Sequence, residues 1–151
     1  MRALPLTAGL LLWAAALQAQ YAPASHHESK TLTWGPAPAV FPKGAQMAVV
    51  SGDPTKAAPF TIELSLPDGY QLKPHSHPTD EAVTVVKGTF LVGMGDVFDL
   101  SKTQPMKPGD TGKLPAGHHH YATAKGATIV SVSSMGPFGM TYVNPADDPS
   151  K

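Results

Sequence analysis

A chain of 151 residues has room for one domain, and its eleven basic and eleven acidic side chains leave it without formal net charge. No basic run appears, which argues against nucleic acid and anionic membrane as partners. Cysteine is absent, and with it disulfides, thiolate metal sites and a cysteine nucleophile.

Sixteen prolines and fourteen glycines, about a fifth of the chain, point to turns and short strands rather than long helices. A domain of this size buries about two-thirds of the surface its unfolded chain would expose, so it needs no metal merely to fold. Residues 1–19 read as a secretory signal peptide. Arg2 supplies the positive start, Leu10 to Leu17 the apolar run, and Leu17-Gln18-Ala19 a small-residue cleavage site, with a second cut conceivable after Ala22. The run is shorter than the ~20 residues that span a bilayer. The expectation is therefore a periplasmic or secreted protein with no membrane association after cleavage.

Residues 20–45 read as a leader followed by a proline-rich edge segment. Tyr21 to Lys30 is small and polar and includes His26 and His27, as in a flexible tail. Pro36, Pro38 and Pro42 keep the next stretch out of a central strand, because proline donates no ladder hydrogen bond. Trp34 and Phe41 would pack it onto the rest. The body of the domain is expected over 46–143, with a C-terminal tail over 144–151.

Gln46 to Ser51 is a short strand closed by Gly52-Asp53-Pro54. Phe60 to Leu66 alternates, with Phe60, Ile62, Leu64 and Leu66 on one face and Thr61, Glu63 and Ser65 on the other. Pro67-Asp68-Gly69 is a turn, and Tyr70 to Lys73 leads into His75-Ser76-His77-Pro78-Thr79-Asp80-Glu81. Val83, Val85 and Val86 form a strand and Thr89 to Met94 another, with Lys87-Gly88 as a hairpin between them. Asp96 to Thr103 has room for a helical turn. Met106 to Asp110 is a turn and Lys113 to Pro115 a brief strand. Thr128, Val130, Val132 and Ser134 share one face of the last long alternation. Eight to ten such strands mean a sandwich or barrel. The methionines Met47, Met94, Met106, Met135 and Met140 show no cluster in sequence and read as core filling.

One stretch concentrates ligand-capable side chains. Side chains two apart on a strand point to the same face, so His75 and His77 project together. Glu81 joins them if the strand continues past Pro78. His120, last of the run His118-His119-His120, would complete a four-ligand site from a strand lying opposite. By alternation His120 faces inward and His119 outward. A ligating imidazole needs its other nitrogen fixed by a hydrogen bond, and the sequence does not identify that partner.

Two spaced patterns carry a resemblance. Gly69-(five residues)-His75-Ser76-His77-(three residues)-Glu81-(six residues)-Gly88 matches the first signature motif of the cupin superfamily. Gly109-(five residues)-Pro115-Ala116-Gly117-(two residues)-His120 matches the second, except that its terminal asparagine is Ala124. The runs Trp34-Gly35-Pro36, Phe41-Pro42-Lys43-Gly44 and Tyr142 to Asp148 are similar to those flanking small secreted bacterial cupins. The resemblance implies an all-β fold, a double-stranded β-helix or jelly-roll barrel, with His75, His77, Glu81 and His120 as metal ligands. It also implies a small-molecule ligand or substrate, and a homodimer formed through an edge segment such as 31–42.

Three imidazoles and one carboxylate suit one divalent transition metal. Iron or manganese is favoured, and nickel, copper, cobalt or zinc is compatible. Open coordination positions would allow dioxygenase-like or decarboxylase-like chemistry on a small oxygenated molecule. The alternative is a non-catalytic cupin that binds or senses a metal or small ligand. His118, Tyr121 and Lys73 are weaker candidates for acid, base or orienting groups at the barrel mouth.

Overall fold

Hydrophobic alternation sets the strands. In the computed structural model, which describes residues 32–151, nine of them are joined in one continuous sheet. The signal peptide and the leader with His26 and His27 lie outside the described residues. The strands are β1 (Gly35–Pro36), β2 (Gln46–Ser51), β3 (Pro59–Leu66), β4 (Gln71–Ser76), β5 (Glu81–Met94), β6 (Gln104–Met106), β7 (Thr111–Leu114), β8 (His120–Met135) and β9 (Thr141–Tyr142). Among the described residues the only helical pieces are single 3-10 turns at Leu100–Lys102, inside the stretch expected to hold a turn, and at Pro145–Asp147.

β8 is the spine. Its C-terminal half lies between β3, with Leu66 opposite Thr128 and Pro59 opposite Met135, and the start of β5, with Glu81 opposite Ser134. Its N-terminal half lies between β4, with His75 opposite His120, and the end of β5, with Met94 opposite His120. β7 and β6 extend the two ends of β5, β2 and β1 extend β3, and β9 extends β4. The proline-rich segment thus forms a sheet edge through Gly35–Pro36. It is held there by the Tyr70 and Tyr142 hydroxyls, which donate to the carbonyls of Pro42 (2.6 Å) and Val40 (2.9 Å).

The two long strands replace the hairpin expected at Lys87-Gly88. The chain does not reverse there: both halves of β5 stay paired with β8, and the register slips around Lys87 while β8 loops out Gly126 to Thr128. Gly88 has φ +80°, and a Cβ there would stand 2.6 Å from the Ala127 carbonyl oxygen and 2.8 Å from the Thr128 Cα. Lys87-Gly88 is therefore a bend in a continuous ribbon, and glycine is needed because β8 runs against it.

The inward faces meet as one core: Phe60, Ile62, Leu64 and Leu66 from β3, Leu72 from β4, Val83, Val85 and Phe90 from β5, and Ala122, Ala124, Val130 and Val132 from β8. Two details depart from simple alternation. Glu63, expected on the solvent face of β3, is buried between Ala48 and Ser131 in the register. Met94 and Met135 are the last residues of β5 and β8 and are 53% and 46% exposed, so only Met47, Met106 and Met140 pack against the core.

Gly88→Ala should lower unfolding free energy by about 2–3 kcal/mol, from left-handed strain plus backbone contact. Gly69→Ala, also at positive φ (+73°) but with nothing near its missing Cβ, should cost about 1 kcal/mol. Urea unfolding of both variants checks this, and equal losses would show that close approach at Gly88 contributes nothing.

Candidate metal centre

His75 and His120 are neighbours in the ladder, not residues facing across the barrel. They are paired directly between β4 and β8, with ring centroids 4.3 Å apart. His77 lies one residue past the end of β4, and its ring centroid is 4.9 Å from that of His75 and 5.2 Å from that of His120. One ring nitrogen from each of the three lies within 4.8 Å of the others.

Glu81 arrives differently from the expectation. β4 does not continue past Pro78. A bend at Pro78 and Thr79 intervenes, and Glu81 opens β5. In the ladder Glu81 pairs with Ser134, fourteen positions along β8 from His120. Along a straight strand that is roughly 45 Å. Glu81 Oε2 nevertheless sits 3.4 Å from His77 Nε2. The bend at Gly88 and Gly126 has folded the ribbon so that its two ends meet.

The ring orientations are fixed by main-chain carbonyls. His75 Nδ1 lies 2.6 Å from the Lys73 oxygen, His77 Nδ1 2.7 Å from the Gly139 oxygen and His120 Nδ1 3.0 Å from the His118 oxygen. A carbonyl only accepts, so in each ring Nδ1 carries the hydrogen and Nε2 presents a lone pair. Burial favours this neutral form. His75 is 2% exposed, His120 3% and His77 7%. Desolvation, reinforced by the neighbouring imidazoles, holds His75 at about 3, desolvation holds His77 at about 4, and His120 is lowered for the same main reason. Desolvation raises the Glu81 carboxyl to about 8.

Three buried, neutral imidazoles with tautomers locked and ring nitrogens within 4.8 Å of one another fit a bound transition-metal ion. A carboxylate touching one of them adds a fourth oxygen-type donor of the kind such ions accept.

The weaker sequence candidates fall elsewhere. Lys73 and His118 serve the site through their carbonyls, each two residues before a histidine they orient. The Lys73 ammonium lies 4.4 Å from the centre of the Phe98 ring and donates to Gln71 Oε1, and the His118 ring is exposed. Tyr121 is fully buried away from the histidines. Its ring fills the space left by Gly93, and its hydroxyl donates to the Asp99 oxygen at 2.9 Å. His119 is exposed and pairs with Asp96 at 2.6 Å.

Residues that sequence reasoning passed over complete the surroundings. Phe138 stacks on Phe41 and lies 5.5 Å from the His77 ring. Gly117 N–H donates to the His77 oxygen, and Asp80 accepts from Ala116 N–H and pairs with Lys113 at 2.9 Å. These bonds clasp the bend between His77 and Glu81 to the loop before His120. The motif spacing between Asp80 and Pro115-Ala116-Gly117 was the one signal available for that clasp. An apolar cavity of about 40 Å³ adjoins the four side chains.

The fold and site define a small β-barrel with a buried cluster of three histidines that could hold a metal ion. The family model for the cupin domain matches residues 62–135, and the chain belongs to the cupin superfamily. No curated protein matches it by sequence. Among solved structures it is similar to the polyketide cyclase RemF from Streptomyces resistomycificus, at 16% identity, TM-score 0.65, 82% of this chain and 88% of that one. It is similar to a protein of Methylibium petroleiphilum proposed to be an acetylacetone dioxygenase, at 19% identity, TM-score 0.59, with 91% and 90% covered. KdgF from Halomonas sp. aligns at 21% identity, TM-score 0.54, with 69% and 86% covered. At these identities the likeness is one of fold.

The ionisable groups give the metal-free protein a defined pH optimum of stability. The histidines have folded pKa values below the ordinary 6.5, so their contribution is complete above pH 6.5 and is lost as pH falls toward 4 and 3. Glu81 has a folded value above the ordinary 4.5, so its contribution is complete below pH 4.5 and is lost as pH rises through 8. Two histidines outweigh one carboxyl below pH 6.5, and only the carboxyl titrates above it. Calorimetric melting in the presence of a chelator should therefore peak near pH 6.5. Added metal should remove the decline toward pH 8, because it favours ionised Glu81. A metal-free curve still rising at pH 8 would contradict the burial of Glu81.

Proposed function

We propose that this chain is a secreted or periplasmic mononuclear metal cupin that acts as an enzyme on a small oxygenated molecule, with oxygenase-type chemistry favoured. His75, His77, Glu81 and His120 hold one divalent ion, iron or manganese. The observation that carries the reading is the cluster of three buried imidazoles whose Nδ1–H groups are each tied to a carbonyl, leaving three Nε2 lone pairs free beside a cavity. When bound, the ion supplies a Lewis-acidic and redox-active centre.

The protein's own groups supply the rest. The carbonyls of Lys73, Gly139 and His118 raise the basicity of the rings they orient and hold them against rotation. Glu81 binds through its carboxylate and gives up its proton on doing so. The apolar wall excludes water from a bound molecule. The structural likeness to a polyketide cyclase and to a proposed acetylacetone dioxygenase supports a small-molecule substrate.

Elemental analysis of protein taken from its native compartment should find one metal ion per chain. His120→Ala should lose it while keeping the β-sheet circular dichroism of the wild type. Gly139→Pro, whose ring fixes φ and crowds Pro78, should displace the Gly139 oxygen from His77 and weaken metal binding by about 10–100-fold. Iron-loaded protein should consume oxygen on a panel of diketones, catechols, thiols and oxalate. A fully metallated protein inert across that panel would leave only the non-catalytic binding role.

A further inference from the structure

The C-terminal segment from Gly136 to Val143 forms a strap beside His77. It is fastened by Phe138 N–H to the Pro54 oxygen, by Val143 N–H to the Pro74 oxygen, and by the pairing of Thr141 with Ser76. An open groove of about 550 Å³ lies outside it, bordered by Ser76, Pro78, Ala116 and Gly117 among others. The small cavity beside the histidines lies inside. Among the described residues, only His77 and Met140 border both spaces.

Those two residues differ in freedom. The His77 ring is pinned through Nδ1 to the Gly139 oxygen, its own carbonyl is held by Gly117 N–H, and Phe138 lies against it. Met140 has a backbone anchored on both sides, by Gly139 and by β9, and an unbranched, half-buried side chain with three rotatable bonds. Of the two, only the Met140 side chain can rearrange without breaking one of these bonds.

The inner space is walled by leucine, valine and phenylalanine side chains, which favour an apolar body.

Resting on the metal-centre reading above, we propose that Met140 is the residue that selects by size what reaches the metal, and that the molecules selected are small. They carry a compact apolar body and an oxygen head, as in an alcohol, a phenol or an enolisable ketone.

The test uses the full chain loaded with cobalt(II), whose visible absorption reports both occupancy and added ligands. Imidazole and 4-phenylimidazole share one binding head and differ in bulk. They are titrated at about pH 8, where a free imidazole is neutral. Wild type should bind imidazole, and should bind 4-phenylimidazole about tenfold or more weaker. Met140→Ala should recover 4-phenylimidazole by about tenfold. Met140→Phe, which removes no core volume, should weaken both probes and so carries the test if the alanine variant fails to load cobalt. Unchanged size preference in cobalt-loaded variants would overturn the proposal alone. A wild type that develops no cobalt spectrum would overturn the metal-centre reading and this proposal with it.

Discussion

Everything in this structure follows from β5 and β8 remaining hydrogen-bonded to each other while folding back on themselves. A straight pair of strands this long would hold Glu81 and His120 at opposite ends. The slip in register around Lys87 and the three residues looped out before Ile129 turn the ribbon over, and Gly88 lets the two strands touch at the turn. β3 and β4 then flank the two halves of β8 in succession, joined by the Pro67-Asp68-Gly69 turn. The same bend closes the core and brings the site residues together.

Once the ribbon is folded, the backbone does much of the work at the metal centre. Two of the three ring-orienting carbonyls come from the residue two positions earlier in the chain, Lys73 for His75 and His118 for His120. The third comes from Gly139, sixty-two positions from His77. The first two locks come with the local geometry of β4 and β8. The third depends on the strap. Burial reinforces all three, because taking a cationic imidazole out of water is unfavourable and the rings stay neutral. The same burial drives Glu81 the other way, toward its protonated form. A divalent ion held by the three imidazoles would reconcile the two by taking the place of the proton on the Glu81 carboxyl.

Parity and turn chemistry made much of this legible from the residues. The core face of β3, the inward His120 against the outward His119, and the edge position of the proline-rich segment follow from period-two alternation and from what proline cannot donate. The motif at Gly69 to Gly88 picked out His75, His77 and Glu81, which the fold brings together. Three features could not be read. Lys87-Gly88 has the composition of a hairpin, and only the partner strand decides whether the chain reverses or bends. Glu81 reaches the histidines through a bend and a folded ribbon rather than by strand parity, which is a tertiary fact. The orienting carbonyls have no side-chain signature, so Lys73 and His118 attracted notice for side chains that take no part.

The strap couples holding the metal to admitting a ligand. Three consecutive residues divide the tasks: Phe138 covers the His77 ring and stacks on Phe41, Gly139 fixes its tautomer, and Met140 borders the passage beside it. A backbone shift that widened the passage would also lengthen the Gly139 bond and loosen His77. Opening by the Met140 side chain alone avoids that conflict, since its backbone is held by β9 on one side and by the His77 bond on the other. An unbranched, polarizable side chain at that position lets the protein be permeable and still keep the ligand geometry rigid.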